Sequence, residues 1–318
     1  MKAQSNKTVS VVVVTAGIGG YLKPCLDSIR GQTYLPLETI VIDNSLNPDF
    51  AQNIIESYPG IQLYPNSTNL FYSASLNQGI ALSQGDFILC LNDDVVLDGR
   101  FIEKILKGIS FDPRIGMASG KILRSDRKTI DSTGLFLSIY RSAKERGYGL
   151  RDRGQFEKAG FIFGVNGAAA FYRKEMLEDI KENNDYFDPD FRIFYEDLDV
   201  SWRAQRFGWQ GYYIPGAVAY HIRGGTVRAN SGIDKPYARR FLSAGLGADL
   251  IKNRYLAIIK NESGLNFLLH LPAVILYDLI IWSYILFFRP RVIKIFLLNL
   301  KYLKKALRKR EINIFSRR

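Results

Sequence analysis

The chain has 318 residues, of which 47% are hydrophobic and 23% are charged. This composition is typical of a globular protein and excludes wholesale disorder, and the length suits one large α/β domain or one domain with an appendage. The two cysteines, Cys25 and Cys90, form no CxxC pair, so neither a disulfide framework nor a structural zinc site is expected. The first residues are too short for the apolar core of a signal peptide, and we therefore expect a cytoplasmic protein.

The net charge of +12 is concentrated at the C-terminus. From Arg289 onward, eleven Lys and Arg residues are balanced by a single acid, Glu311, so this tail alone carries +10. A basic tail that follows an apolar segment favours an anionic membrane surface as the partner, and we expect no binding to nucleic acid.

The first third of the chain alternates short β-branched runs with helical patterns of apolar residues. This order predicts a mainly parallel, doubly wound α/β sheet with right-handed crossovers. The predicted strands are residues 9–15, 38–42, 61–64 and 87–91, and the predicted helices are 21–30, one shortly after 45, and 73–83.

The pattern becomes looser after residue 94. Residues 141–155, which are dense in Gly, Arg, Lys and Asp, predict a flexible loop of the kind that covers a binding site. The other predicted elements are helices at 101–109 and 196–207 and strands at 117–123, 168–172, 211–214 and 218–221.

Residues 265–288 form an almost wholly apolar segment that is interrupted by His270, Pro272 and Asp278. Its length allows a transmembrane helix, but a single span would place the basic tail on the side opposite the N-terminal part. We therefore favour helices that lie in the membrane interface, with residues 292–305 as an amphipathic partner. An ordinary core helix is the alternative.

The most informative segment is the strand at 87–91, which ends in Asn92, Asp93 and Asp94. The carboxyl ends of the strands form the edge at which open α/β sheets bind ligands. Asn92 and Asp94 can both present oxygen to a hard cation such as Mg²⁺ or Mn²⁺, which can in turn hold a diphosphate. The alternative is an ordinary Asp-rich turn.

Polar residues also end two earlier strands. Thr15 precedes a glycine-rich turn at 17–20 that lacks the third glycine of a dinucleotide fingerprint. Asp43 ends the second strand, where a carboxylate either accepts hydrogen bonds from a base or ribose or forms an Asx-turn.

Three acids, Glu196, Asp197 and Asp199, begin a predicted helix. A carboxylate at this position can act as a general base, although all three suit the helix dipole and Asp199 can pair with Arg203. His221 ends the last predicted strand, where it is either a metal ligand or ordinary hydrogen-bonded structure.

Taken together, these segments resemble the family 2 inverting glycosyltransferases, which have the GT-A fold. The resemblance extends from residue 9 to residue 226, and it depends on the order and spacing of the motifs. The matching segments are Val9–Thr15, Gln32-Thr33-Tyr34, Val41-Ile42-Asp43-Asn44-Ser45, Asn69-Leu70, Asn77-Gln78-Gly79-Ile80, Asn92-Asp93-Asp94, Gly167-Ala168, Glu196-Asp197-Leu198-Asp199 and His221.

The resemblance implies metal-dependent transfer of a sugar, with inversion, from a nucleoside-diphosphate sugar to a hydroxyl group. It makes Asp197 the catalytic base, and it makes Asp94 the main ligand of Mg²⁺ or Mn²⁺, with help from Asn92 and His221. The residues implied in the remaining contacts are Thr15, Asp43, Asn77 and Asp93 on the donor side and Gly167, Ala168 and Glu196 on the acceptor side.

Three departures from the family pattern affect which sugar the site is expected to fit. Ala16-Gly17 replaces the usual Tyr-Asn, Phe71 replaces a glycine, and Asn92 replaces the first aspartate of the metal motif. The last substitution is common in rhamnosyltransferase-like members, and we therefore favour rhamnose from dTDP-rhamnose as the transferred sugar.

We accordingly predict a catalytic domain at residues 1–230, whose nucleotide-sugar half ends near 95 and whose acceptor half follows. Residues 231–318 are predicted to form a helical tail that associates with a membrane. The tail suggests a lipid-linked or cell-envelope glycan acceptor and a peripheral or monotopic position on the cytoplasmic face of the membrane.

Two other classes of protein remain possible from the sequence. A sugar-nucleotide nucleotidyltransferase shares the layered α/β design but needs a basic, glycine-rich loop after its first strand, and residues 15–20 contain no basic residue. A non-catalytic, membrane-attached glycan-binding protein would need neither a metal site nor a base.

Overall fold

A mixed sheet of ten strands lies at the centre of the computed structural model, which describes residues 7–223 and 242–315. The described residues contain twelve strands, ten of them in this sheet: β1 (Val9–Thr15), β2 (Glu38–Asp43), β3 (Gln62–Pro65), β4 (Phe87–Asn92), β5 (Val95–Leu97), β6 (Ile115–Arg124), β7 (Ile130–Ser132), β8 (Leu135–Leu137), β9 (Ala143–Glu145), β10 (Gly160–Ile162), β11 (Ala169–Arg173) and β12 (Gln210–His221). The main path of the sheet is β10-β12-β6-β11-β4-β1-β2-β3, while β5 pairs with β12, β7 pairs with β6, and β8 and β9 form a separate hairpin.

Ten α-helices are described around and beyond the sheet. They are α1 (Leu22–Arg30), α2 (Pro48–Ser57), α3 (Phe71–Leu82), α4 (Phe101–Gly108), α5 (Lys174–Ile180), α6 (Glu196–Arg206), α7 (Ala244–Asn261), α8 (Gly264–Phe288), α9 (Pro290–Leu298) and α10 (Leu300–Phe315). A short 3₁₀ helix covers Pro189–Phe191.

The first four strands in chain order, β1 to β4, have the predicted doubly wound, parallel arrangement. β1 is buried along its whole length because helices cover both faces of the sheet. Val11 and Val13 pack on the side of α1, whereas Val12 and Val14 pack on the side of α3. The parallel register places Thr15 beside Asp43, so the polar ends of β1, β2 and β4 share one edge of the sheet.

The second half of the sheet is mixed. β11 runs antiparallel to both of its neighbours, β4 and β6, while β6 and β12 are parallel. β12 is one continuous strand instead of the two predicted, because a register shift between Ile214 and Val218 absorbs the intervening proline and glycine.

Helix α7 lies within the segment 231–318 that was predicted to be helical, but its bounds and its packing were not predicted. It packs against α6, α9 and α10. Its buried positions include many polar side chains, which hide the apolar periodicity that identifies a helix. These buried polar residues are Asp249, Lys252, Asn253, Arg254, Lys260 and Asn261.

Helix α8 confirms the predicted helical segment and is long and apolar enough, by length and composition alone, to cross a membrane. One face follows the protein surface: Tyr277 stacks on Tyr140, and Trp282 Nε1 donates a hydrogen bond to the Tyr255 hydroxyl at 2.9 Å. Asp278 also forms an ion pair with Arg254 on this face. The opposite face exposes a stripe of large apolar side chains: Leu265, Leu268, Leu269, Ile275, Leu276, Leu279, Ile280, Leu286 and Phe287.

The basic tail differs from the prediction in two respects. The single amphipathic helix expected at 292–305 is divided at Asn299 into α9 and α10. Two of the lysines expected to face a membrane instead form ion pairs with the protein, Lys305 with Asp190 at 2.9 Å and Lys309 with Asp188 at 2.6 Å. The free basic surface of the tail is therefore smaller than its sequence suggests.

Several predictions lie outside the described residues. They are the domain boundary at 230, the end of the family resemblance at Thr226, and the terminal residues Arg317 and Arg318.

Candidate active site

The polar ends of β1, β2 and β4 form a hydrogen-bonded edge. The Thr15 hydroxyl donates to Asp93 Oδ2 at 2.6 Å. Asp43 accepts hydrogen bonds from the backbone N–H and the hydroxyl of Ser45, at 2.7 and 3.0 Å. Asp43 thus forms an Asx-turn, which fixes its carboxylate at this edge of the sheet.

A cavity of about 560 Å³ begins at the end of β4 and is bounded on its far side by α7. It brings together seven of the predicted site residues and leaves out Thr15, Asp43, Asn77 and Asp93. The seven are Asn92, Asp94, Gly167, Ala168, Glu196, Asp197 and His221.

Asn77 lies in α3, away from the cavity lining. Its side-chain amide donates to Asp185 Oδ1 at 3.0 Å and to the Phe187 carbonyl at 2.7 Å, and it accepts from the Phe187 N–H at 2.8 Å. All of these contacts are within the protein, so Asn77 holds the segment around residue 187 against α3.

His221 is held between two carboxylates. Its Nδ1 lies 2.8 Å from Asp131 Oδ2, and its Nε2 lies 3.2 Å from Asp94 Oδ1. Burial alone would lower the pKa of His221, but the hydrogen bonds to Asp131 and Asp94 raise it to about 9. Burial likewise opposes ionisation of Asp131, but the partners His221 and Arg223 lower its pKa to about 2. The series of contacts from Asp131 through His221 to Asp94 fixes the direction in which the Asp94 carboxylate faces the cavity.

Asn92 and Asp94 fit a partial binding set for a divalent cation, and His221 can join it when the cation displaces the Nε2 proton that is held by the hydrogen bond to Asp94. The Asn92 Oδ1 atom is buried and has no hydrogen-bond partner among the residues that the structure describes. A buried amide oxygen without a partner is costly unless a ligand binds it. Within those residues, no cluster of three or more His, Cys, Asp or Glu stands at ligand spacing. Because Mg²⁺ is typically held by one or two carboxylates plus substrate phosphates, a partial set of this kind is sufficient.

Asp197 lies at the start of α6, on the opposite wall of the cavity. The N–H of Gly167 donates to its Oδ2 at 3.0 Å, and the N–H of Leu198 donates to its Oδ1 at 2.7 Å. Burial raises the pKa of Asp197, although these two hydrogen bonds oppose the shift. Burial and the charge of Asp197 raise the pKa of the adjacent Glu196 to about 8. Asp197 therefore has the orientation and the raised proton affinity that a general base needs.

Asp199 is directed away from the cavity. Its carboxylate pairs with Arg203 at 3.0 Å and with Lys260 at 3.1 Å, and it accepts a hydrogen bond from Asn261 at 2.8 Å. Of the two roles left open by the sequence, the structural role fits Asp199.

The loop at 141–155, predicted as a flexible cover, lines the cavity and contains regular structure that its composition does not predict. It contains the hairpin strand β9, and Lys121 ties its far end to the sheet by ion pairs to Asp152, at 3.0 Å, and Glu157. Ala143, Lys144, Glu145 and Tyr148 from this loop line the cavity.

Glu145 and Asn166 are cavity residues that the sequence did not reveal. Asn166 Nδ2 donates to Glu145 at 2.6 Å, and the Ser132 hydroxyl also donates to Glu145. Burial and the charge of Asp197 raise the pKa of Glu145 to about 8. The sequence of a loop rich in Gly and charged residues does not distinguish one acid from another. Glu145 is identified only because it lies close to Asp197 in the structure.

Comparison with known proteins adds a sequence family and two structural neighbours. The profile of the family described as Glycosyl transferase family 2 matches residues 10–181. The chain is 27% identical over 240 residues to N-acetylglucosaminyl-diphospho-decaprenol L-rhamnosyltransferase of Mycobacterium tuberculosis, covering 66% of this chain and 75% of that protein.

The structural neighbours share the fold at low sequence identity. One is a crystal structure of GalNAc-T7 with UDP, GalNAc and Mn²⁺, with a TM-score of 0.59 and 14% identity, covering 81% of this chain and 48% of that chain. The other is a crystal structure of S. aureus TarS 1–349, with a TM-score of 0.51 and 15% identity, covering 80% of this chain and 66% of that chain. These similarities confirm the predicted GT-A fold.

Proposed function

Because the chain belongs to glycosyl transferase family 2 and is a glycosyltransferase enzyme, we propose that it transfers a sugar, with inversion, from a nucleoside-diphosphate sugar to a hydroxyl group. The observation that carries this proposal is the single cavity that joins Asp197 to Asn92, Asp94 and His221. A base on one wall and a partial cation site on the other leave room for an acceptor and a donor between them.

The donor would bind along the edge formed by β1, β2 and β4. Asp43, fixed by its Asx-turn, would accept hydrogen bonds from the base or ribose, and Asp93, held by Thr15, would contact the ribose or the sugar. Asp94, Asn92 and His221 would hold Mg²⁺ or Mn²⁺ with the diphosphate. A divalent cation bound there supplies positive charge that stabilises the departing diphosphate.

Asp197 would remove the proton from the acceptor hydroxyl. As the proton moves to the carboxylate, the acceptor oxygen forms a bond to the anomeric carbon from the face opposite the diphosphate. The bond from that carbon to the diphosphate breaks, and the diphosphate leaves with the bonding electrons. The N–H groups of Gly167 and Leu198 hold the carboxylate in place, so its position does not depend on the substrate.

A pH profile tests this role of Asp197. Only the ionised carboxylate can accept the proton, so kcat/KM should fall as the pH is lowered through the pKa of Asp197. Because burial raises that pKa, the acid limb should lie above the ordinary aspartate value of 3.8. The neighbouring groups that face Asp197 are Glu196, Glu145, Tyr72 and Tyr172. A limb at or below 3.8, measured while donor binding stays constant over the same range, would contradict the assignment.

We favour dTDP-rhamnose as the donor and a lipid-linked or cell-envelope glycan as the acceptor. The relative from Mycobacterium tuberculosis is named as a rhamnosyltransferase acting on a diphospho-decaprenol substrate, which supports rhamnose as the sugar and a lipid-linked acceptor. The side chains that line the α7 end of the cavity are apolar, which also suits an acceptor with an apolar portion. They are Ile193, Phe194, Leu242, Leu246 and Leu250.

Helix α8 would place the enzyme on the cytoplasmic face of a membrane without crossing it. A spanning helix would bury the Arg254–Asp278 ion pair and the protein surface along its inner face in hydrocarbon, where charged groups are costly. If α8 lies in the plane of the interface, only its exposed apolar stripe enters the hydrocarbon. The exposed Lys294, Lys301 and Lys304 of α9 and α10 can then face anionic headgroups.

Removing two side chains from this stripe should weaken membrane binding. Burial of one large aliphatic side chain contributes about 1.5–3 kcal/mol, so Leu276→Ser with Ile280→Ser should reduce binding to anionic vesicles by at least about 10²-fold. Sedimentation with phosphatidylglycerol vesicles measures this change. Leu35→Ser with Leu37→Ser, two exposed leucines outside α8, is the matched control and should bind as the unaltered protein does. Equal binding by both variants would contradict the interfacial position.

A thermal-shift panel of UDP-, dTDP- and GDP-sugars, each with Mg²⁺, Mn²⁺ or EDTA, tests the proposed function. A bound donor raises the melting temperature by mass action, and dTDP-rhamnose with a divalent cation should raise it most. A larger shift with another sugar nucleotide would change the donor and keep the reaction. Stabilisation only by a nucleoside triphosphate would instead indicate a nucleotidyltransferase, and the absence of any shift would contradict the donor site.

A further inference from the structure

The segment that leads into Asp197 has an unfavourable backbone conformation. Arg192, Phe194 and Tyr195 have φ angles of 62°, 71° and 67°. Residues with a side chain adopt positive φ at a cost, and three such residues within four positions require support from the surrounding structure. Glu196 and Asp197 follow directly, so the position of Asp197 depends on what holds this segment.

Every backbone carbonyl from residue 190 to residue 194 has an identified partner. Lys252 Nζ donates to the Asp190 carbonyl at 2.8 Å, and the N–H of Ser73 donates to the Arg192 carbonyl at 3.0 Å. The other three carbonyls all contact one atom, the Nδ2 of Asn253. Its distances to the carbonyl oxygens of Phe191, Ile193 and Phe194 are 2.7, 2.7 and 2.8 Å.

Asn253 is suited to this position by its chemistry and its place in the fold. It is fully buried in α7, and its amide group has two N–H donors that the three carbonyls share. Because the Asn253 side chain is short, the three carbonyl groups that it binds can move little relative to the backbone of α7. The neighbouring Leu256 and Ala257 pack on Phe191, Tyr195 and Leu198, so α7 contacts both ends of the segment.

We propose that Asn253 is a positioning residue for catalysis, which sets the place of Asp197 by gathering the carbonyls of the strained segment. The inference rests on the proposed role of Asp197 as the base. It extends the catalytic machinery into α7, which lies beyond the residues 10–181 matched by the family profile. The helix would thus belong to the active site as much as to the membrane-associating tail.

A purely structural role for Asn253 would have a different signature. Loss of a structural hydrogen bond lowers stability and leaves the kinetics of the folded protein unchanged. Loss of positioning lowers kcat, because a displacement of about 1 Å of a catalytic group can cost about 10²-fold in rate. Donor affinity should be unchanged, since the described hydrogen bonds of the Asn253 side chain go to Phe191, Ile193 and Phe194 and not to the ends of β1, β2 and β4.

The test compares Asn253→Ala with Asn261→Ala in the full chain. Asn261 is the matched control, because it is also a buried asparagine of α7 and its amide donates to Asp199 Oδ1 at 2.8 Å and to the Ala257 carbonyl at 3.2 Å. Both variants should lose thermal stability. Only Asn253→Ala should lose kcat, by about 10- to 100-fold, with the donor dissociation constant from isothermal titration calorimetry unchanged.

Asn253→Ser keeps one donor and is measured in the same way, so a failure of Asn253→Ala to fold leaves the test intact. A wild-type kcat in the folded Asn253 variant, or an equal loss in Asn261→Ala, would overturn the inference. Asp197→Asn is assayed in parallel. If it retains activity, the proposed base is wrong; if it is inactive while the Asn253 variant is fully active, only the positioning role is wrong.

Discussion

Replacing Asp197 with Asn should reduce the rate of sugar transfer by about 10²- to 10⁴-fold, the range that general-base catalysis contributes. The amide has nearly the shape of the carboxylate but cannot accept the proton of the acceptor hydroxyl. The substitution also removes a charge that raises the pKa of Glu196 and of Glu145. Neutralising this buried, mutually repelling charge favours folding, whereas the amide nitrogen can no longer accept one of the hydrogen bonds from the N–H groups of Gly167 and Leu198, which costs about 1–3 kcal/mol.

Two measurements separate this role from donor binding. Transfer is followed as release of the nucleoside diphosphate in the presence of acceptor, and the donor dissociation constant is obtained by calorimetry. Asp112→Asn makes the same chemical change at a surface aspartate paired with Arg114, and it should behave as the unaltered protein. Parallel loss of donor affinity and rate in Asp197→Asn would place Asp197 in the donor site instead.

Replacing Asp94 with Asn should reduce both donor binding and the rate of transfer, whereas Asp197→Asn should reduce the rate alone. Asp94 supplies the only carboxylate among the three proposed cation ligands, so the variant would leave a neutral amide, Asn92, and the imidazole of His221. Changes at residues that merely support a metal ligand cost about 10- to 100-fold in affinity, and loss of the ligand charge itself should cost at least that much.

Calorimetric titration of the nucleotide sugar, with Mn²⁺ and with EDTA, measures this effect. With Mn²⁺ the donor should bind the unaltered protein much more tightly than Asp94→Asn, and with EDTA the two proteins should bind it equally weakly. Tight, Mn²⁺-dependent binding in Asp94→Asn would show that the cation is held elsewhere. The two variants together thus distinguish the donor wall of the cavity from the acceptor wall.

The first half of the fold could be predicted because its patterns are local. β1, β2, β3 and β4 are short runs rich in strand-forming residues and separated by helices, and their predicted bounds differ from the observed ones by one residue at most. The second half depends on long-range pairing. Nothing in the sequence of β11 indicates that it enters the sheet antiparallel to β4, and the buried polar residues of α7 imitate a surface helix or a loop.

The residues of the candidate site likewise divide into those that local patterns predict and those that only long-range contacts identify. Asn92, Asp94 and His221 stand at or just after the ends of predictable strands, and Asp197 stands at the start of a predictable helix. Asp131 is 90 residues from His221 along the chain, and it is identified only by the hydrogen bond between them. Asn77 had the right motif but faces Phe187, because a motif records residue type and spacing and not the direction of a side chain.

The ion pairs of α10 bear on how this protein can be handled. Lys305 and Lys309 hold Asp190 and Asp188, which flank the start of the 3₁₀ helix, and the segment leading to Asp197 begins where that helix ends. Trimming the apolar and basic end of the chain is an obvious way to obtain a soluble enzyme for crystallisation. Here it would remove the ion pairs that hold the start of the segment leading to the proposed base, so solubility is better sought by exchanging the outward leucines of α8 than by shortening the polypeptide.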